Sequence, residues 1–173
     1  MNSKNDLIYF DKKHPLLANI KSYIIHQCED VCRNEIDATV ITNAFSTFDF
    51  GYVRKSLRAL TGIRNYNKKL KETIHSFVIA KYNYEDENGI PSIYIQVLCN
   101  SKNNSKNNKD GSLILKIIEE KAKAEKIKYI VLAALGEINL KKWYEKNGFK
   151  VTTETMIPGS KKIKVYNMVK NLH

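Results

Sequence analysis

Between Val97 and Ser112 the sequence holds the parts of an anion site. Ile93-Tyr94-Ile95-Gln96-Val97-Leu98 reads as a strand, a long polar stretch follows it, and Gly111-Ser112 leads into a run with helical spacing. The first amides of a helix have no partner inside that helix, and the helix dipole favours negative charge in front of them. A phosphate is the natural occupant. Taken alone, a strand, a loop and a helix with one glycine is more often a purely structural unit. The polar stretch is unusual in itself: Ser101-Lys102-Asn103-Asn104 is followed at once by Ser105-Lys106-Asn107-Asn108. This tandem repeat is too polar to bury anything, so it reads as a solvated loop.

The whole chain is suited to an anionic partner. Its 29 Lys and Arg against 18 Asp and Glu leave a formal charge of +11, spread along 173 residues rather than gathered in a tail. Nucleic acid, an anionic membrane surface and a phosphate-bearing cofactor all fit that charge. A solvated lysine-rich surface fits it too, and better. Three cysteines, Cys28, Cys32 and Cys99, are too few and too odd in number for a disulfide framework, and point to a reducing compartment. Cys28 and Cys32 share a helix face and read as small buried apolar residues, not zinc ligands, since zinc asks for about four ligands. Met1 to Lys13 has no apolar core, so no signal peptide is expected. No run approaches the roughly 18 apolar residues of a membrane span. The expectation is a cytoplasmic protein without a metal, monomeric or homodimeric.

The elements that must position the anion site follow from periodicity. Leu7 to Phe10 is a short apolar run with strand character. His14-Pro15 opens a helix with Leu17, Ile20, Ile24, Cys28 and Val31 on one stripe, ending near Asn34. Ala38 to Thr42 suggests a short strand or a loop, Phe45 to Tyr52 has no clear period, and Val53 to Leu60 reads as a helix stopped by Gly62. Ile74 to Tyr84 and Ser92 to Cys99 are strands around an Asn88-Gly89 turn, an antiparallel hairpin. Gly111 to Lys126 is a helix, and Tyr129 to Leu135 a strand buried on both faces. Glu137 to Lys146 is a short helix stopped by Asn147-Gly148. Phe149 to Thr155 and Ile163 to Val169 are strands joined around Pro158-Gly159. A single domain over 1–173 is expected, with the break between its halves near residue 73.

Trp143-Tyr144-Glu145-Lys146-Asn147-Gly148-Phe149 follows the strand–loop–helix–strand unit, and Asn167-Met168-Val169-Lys170-Asn171-Leu172 closes the chain. Over roughly residues 74 to 172 this order of segments resembles the GNAT superfamily of N-acetyltransferases. The resemblance implies an α/β (α+β) fold, a mixed and mostly antiparallel sheet flanked by helices. It implies acetyl-coenzyme A as co-substrate, bound by residues 74–173, and a primary amine as acceptor, met by residues 1–73 and the Phe149 to Val169 hairpin. The family's phosphate loop, Arg/Gln-x-x-Gly-x-Gly/Ala, falls on Lys106-Asn107-Asn108-Lys109-Asp110-Gly111, with Ser112 next. Lys106 keeps a donor without the planar fork of Arg. Lys109 stands in place of a glycine, and Asp110 adds a negative charge beside an anion. The loop is longer than the family's by one copy of the repeat, an extension that costs only about a few tenths of a kcal/mol in loop closure.

In the same resemblance the backbone of Val97, Leu98 and Cys99 pairs with the pantetheine arm, and Tyr144 protonates the leaving thiolate, as a phenol can. A ring packed between helix and sheet is the competing reading of Tyr144. Glu137 is the candidate general base, with a plain helix-first-turn charge as its competing reading. His75 and Tyr82 are further candidates for the base. Cys99 is set aside as a nucleophile because no His-Asp set supports it. Two other classes remain open: an inactive GNAT-like binding module, suggested by the altered loop, and a basic nucleic-acid-binding protein, suggested by the charge but without a recognisable motif.

Overall fold

The computed structural model describes residues 7–32, 36–55, 74–83, 92–100, 109–135, 138–156 and 164–172. Its elements in chain order are β1 (Leu7–Asp11), α1 (Leu17–Val31), α2 (Ala38–Thr47), β2 (Phe50–Lys55), β3 (Ile74–Asn83), β4 (Ser92–Asn100), α3 (Lys109–Ala124), β5 (Tyr129–Leu135), α4 (Ile138–Lys146), β6 (Lys150–Met156) and β7 (Lys164–Asn171). One mixed sheet has the strand order β1-β2-β3-β4-β5-β7-β6. Pairing is antiparallel for β1/β2, β2/β3, β5/β7 and β6/β7, and parallel for β4/β5. The expected fold class, a mixed and mostly antiparallel sheet with helices, is what forms. Among the described residues no helix is long and apolar enough to cross a membrane.

By its contacts the chain divides into two compact units. The first takes Met1–Lys81 and Gln96–Leu115, the second Tyr82–Ile95 and Lys116–His173. In the first unit the apolar stripe of α1 (Ile20, Ile24, Cys28) and that of α2 (Ile41, Ala44, Phe45) bury against Phe10, Val53, Phe77, Ile79, Val97 and Cys99. Phe10, Phe45 and Phe48 form a ring cluster with centroids 5.1–5.9 Å apart. Gly51 lets β2 lie under it, because a Cβ there would collide with the Phe10 ring and the Val78 carbonyl. In the second unit Ile93, Ile95, Ile118, Ala122, Ile130, Leu132, Ala134, Tyr144, Phe149, Tyr166 and Met168 are buried.

Several expectations need correction. Ala38–Thr47 is a helix, not a strand or loop: Asp37 Oδ1 accepts from the Val40 N–H at 3.0 Å as an N-cap, and Ile41, Ala44 and Phe45 fall on one face. Val53–Lys55 continues strand β2 instead of starting a helix, with Val53 paired to Ile8 and Phe77. Strand β5 is buried on one side only, since Tyr129 and Val131 are half-buried and Ala133 is exposed. Cys32 and Cys99, 67 residues apart, form a disulfide with Cα atoms 4.8 Å apart, which leaves the buried Cys28 outside the bridge. With two of the three cysteines joined, their small odd number does not point to a reducing compartment. An odd count of three allows one bridge and a leftover, and sequence spacing does not disclose pairing.

Candidate functional site

Strand β4 carries the first group of candidate residues. Its burial alternates: Ile93, Ile95, Val97 and Cys99 are buried, and Ser92, Tyr94, Gln96, Leu98 and Asn100 are half-buried. Its parallel ladder with β5 runs from Ser92↔Tyr129 to Ile95↔Leu132. Gln96–Asn100 continue past the end of that ladder. Since Val97 and Cys99 point into the core, what they can offer a ligand is backbone. Cys99 also has its sulfur in the bridge to Cys32, a firmer reason than the missing His-Asp set for setting it aside as a nucleophile.

Helix α3 starts at Lys109, two residues before the expected Gly111. Lys109 and Asp110 are therefore first-turn residues and not loop residues. With Gly111 and Ser112 they make up the four positions whose amides have no carbonyl to reach inside the helix. Gly111 is buried and Ser112 half-buried. Lys106 lies outside the described residues, and so does Glu137.

Tyr144 is placed by the way α4 stops. The N–H of Phe149 donates to the Tyr144 carbonyl at 3.1 Å, the N–H of Gly148 donates to the Glu145 carbonyl at 3.1 Å, and Gly148 has φ of +92°. This is a Schellman stop, with Gly148 in the left-handed position and an apolar contact bridging the ends. That contact is Tyr144 with Phe149, ring centroids 5.6 Å apart, and Trp143 adds a second edge contact at 4.9 Å. Asn147 Nδ2 donates to the Trp143 carbonyl at 2.8 Å and helps close the turn. The segment Tyr144-x-x-x-Gly148-Phe149 thus has a backbone reason for its spacing. Tyr144 is buried.

Of the further base candidates, Tyr82 is excluded by its surroundings. Burial first, and then its hydrogen bond to Glu125, push the phenol well above its ordinary value. Its Oη donates to Glu125 Oε2 at 2.7 Å, and Lys121 bonds the same carboxylate. A phenol that holds its proton so firmly is no base near neutrality. The side chain of His75 lies outside the described residues. Elsewhere in the second unit, burial pushes the Glu119 carboxyl up, but the hydrogen bond and charge of Lys170, joined by Lys123, leave it below its ordinary value. Among the described residues no three His, Cys, Asp or Glu side chains gather as metal ligands.

One recess was not foreseen. At the facing ends of α1 and α2, Ile25, His26, Cys28, Asp37, Ala38 and Thr39 line a hollow of about 380 Å³. Among its lining residues His26 is exposed. Nothing in its spacing from Asp37 signals that two helix ends will bring them to one hollow.

No protein-family model matches the chain, and no curated protein matches its sequence. Solved structures match its three-dimensional arrangement. The aminoglycoside 6'-N-acetyltransferase from Enterococcus faecium superposes with a TM-score of 0.67 at 12% identity, covering 96% of this chain and 97% of that one. An aminoglycoside 6'-N-acetyltransferase complexed with coenzyme A gives 0.63 at 13% identity, over 96% and 97%. A chain of the NatC complex bound to Gag peptide and CoA gives 0.63 at 14% identity, over 97% and 99%. The protein has the fold of the GNAT acetyltransferases. The superpositions cover 96–97% of the chain, more than the span of residues 74–172 that carries the sequence resemblance.

Proposed function

We propose that this protein is an N-acetyltransferase that moves an acetyl group from acetyl-coenzyme A to a primary amine. The observation that carries the reading is the single parallel pair, β4/β5, inside an otherwise antiparallel set of described ladders, with β4 running on past Ile95, its last residue paired to β5. Coenzyme-bound structures of the same fold support it.

In this reading the backbone of Val97, Leu98 and Cys99 pairs with the amides of the pantetheine arm. The first-turn amides of α3, from Lys109 to Ser112, with the Lys106 ammonium, take the pyrophosphate. The acceptor nitrogen attacks the acetyl carbonyl, the C–S bond breaks, and an amide and a thiolate result. Tyr144 gives the thiolate its proton, and Glu137 receives the proton that the amine loses. Positioning and polarisation of the carbonyl by backbone N–H groups supply most of the acceleration.

Calorimetric titration with acetyl-coenzyme A tests the first half of this reading, and the expected result is saturable binding. Thiol release measured with spermidine, kanamycin A, an alanine-initiated hexapeptide and a lysine-containing hexapeptide tests the second half. Absence of binding at millimolar acetyl-coenzyme A overturns the proposal.

A further inference from the structure

Cys28, Cys32 and Cys99 belong to one core cluster of the first unit, and a bridge joins the last two. Cys28 stands one helical turn before Cys32, which caps the C-terminus of α1. The Cys32 N–H donates to the Cys28 carbonyl at 2.8 Å, so the end of α1 holds the pair at helical spacing. Four helical residues rise about 6 Å, and side chains so spaced lie on one face. A disulfide spans Cα separations of about 4.4–6.8 Å. Cys32 is therefore within bonding reach of two neighbours: Cys99 on β4, and Cys28 on its own helix.

The bridge is shut in, with Cys32 2% and Cys99 3% exposed. Cys28 is buried too, but it forms part of the wall of the hollow of about 380 Å³ at the ends of α1 and α2. His26, Asp37, Ala38 and Thr39 of the same wall are exposed, so the hollow opens to solvent. Space of this order takes a small molecule. The opening is thus at Cys28, one turn from the sulfur of Cys32. A small thiol or disulfide that enters the hollow meets the cysteine outside the bridge first.

We infer that Cys28 is the exchange partner of the bridge, a relay through which a small monothiol in the hollow reduces Cys32–Cys99. The Cys28 thiolate attacks the Cys32 sulfur. A Cys28–Cys32 bond forms, the Cys32–Cys99 bond breaks, and Cys99 leaves as a thiolate that takes up the proton Cys28 lost. This step needs no outside reagent. It moves the bond from the tie between α1 and β4 to the wall of the hollow. A monothiolate there attacks the Cys28 sulfur, giving a mixed disulfide on Cys28 and the Cys32 thiolate. A second monothiolate attacks the mixed disulfide and releases the Cys28 thiolate and a low-molecular-mass disulfide. Two monothiols are oxidised and one bridge is reduced. Run in reverse, the same steps let a low-molecular-mass disulfide restore the tie. The covalent link between α1 and β4 thereby follows the thiol pool around the protein, whatever reaction the protein performs.

The test follows reduction of the oxidised full chain by glutathione in native buffer at about pH 8, where an ordinary thiol is partly ionised. Samples are quenched in acid, labelled with N-ethylmaleimide in urea and read by mass spectrometry. In the wild type, Cys32 and Cys99 become labelled at a rate that rises with glutathione. In Cys28→Ala that rate is lower by about tenfold or more, since a bridge without an accessible sulfur exchanges slowly. Cys28→Ser, closer in volume, behaves in the same way and decides the matter if the Ala chain does not fold. In concentrated urea all three chains react alike. A packing role for Cys28 has the opposite sign: truncation leaves a cavity, loosens the fold and speeds native reduction. Native reduction of the variants at the wild-type rate or faster overturns the inference. So does labelling of Cys28, Cys32 and Cys99 together in the untreated chain, because there is then no bridge to exchange.

Discussion

The ring of Phe149 meets the ring of Tyr144 edge to face at 5.6 Å, and the Phe149 N–H donates to the Tyr144 carbonyl at 3.1 Å. One pair of residues thus closes helix α4 through both backbone and side chain. The Tyr144 ring would be needed there even in a protein without chemistry, so packing and catalysis have to be separated by experiment.

Tyr144→Phe separates them. The ring and its contact with Phe149 remain, so the thermal midpoint should change by less than about 1 kcal/mol equivalent, the net worth of one hydrogen bond. Thiol release should fall by about two orders of magnitude, the usual contribution of a positioned acid, while acetyl-coenzyme A still binds in calorimetry. Unchanged turnover would leave Tyr144 with packing alone.

Helix α3 ends in the same way as α4 but without glycine. Ile127 N–H donates to the Ala122 carbonyl at 2.8 Å, Lys126 N–H to the Lys123 carbonyl at 3.1 Å, and Lys126 takes φ of 60°. A side chain in the left-handed region is strained, and Lys126 is exposed. Lys126→Gly is expected to stabilise by up to about 1 kcal/mol in urea unfolding. Gly148→Ala should do the reverse, because its Cβ would also come within 3.0 Å of Lys170 Cε.

The Cys32–Cys99 bridge closes a long loop, 67 residues in sequence separation. In the chain-entropy model such a loop is worth roughly 4 kcal/mol. Urea unfolding with and without a thiol reductant, and of Cys32→Ser, should show a loss of that order. Equal midpoints under both conditions would mean that the bridge does not form.

Glu119 and Lys170 form an ion pair at 2.9 Å, and the folded carboxyl lies below its ordinary 4.5. A carboxyl whose value is lowered by folding stabilises the fold above its unfolded value and loses that contribution as pH falls through the lower folded one. Thermal midpoints of the wild type and of Glu119→Gln should differ at pH 7 and draw together as the pH falls below 4.5. Both side chains are partly open to solvent, so the difference is small and shrinks in salt.

The second half of the chain was legible because its local signals agree with its packing. The bounds of Tyr129–Leu135 follow from its apolar run alone, and Asn147-Gly148 stops a helix where a left-handed residue is needed. The first half was less legible because local and tertiary signals conflict. Thr39, Val40, Ile41 and Thr42 are β-branched and suggest a strand, but one Asp37 cap and one buried face make them helical. Val53 was read forward into a helix, although its partners Ile8 and Phe77 are distant in sequence. Of the site, the β4 segment and the Tyr144 stop could be read as local patterns. The bond from Gln96 Nε2 to Thr47 Oγ1 could not, since its partners lie 49 residues apart.

Once unfolded, the oxidised protein is no longer a linear polymer. The bond from Cys32 to Cys99 makes it a lasso, in which α2, β2, β3 and nearly all of β4 belong to the ring and β1 and β5–β7 to the two tails. A lasso is smaller than an open chain of the same mass. In a denaturing gel, the oxidised chain should run ahead of its reduced form, and the band position alone reports the sulfur chemistry of a sample taken from a living cell.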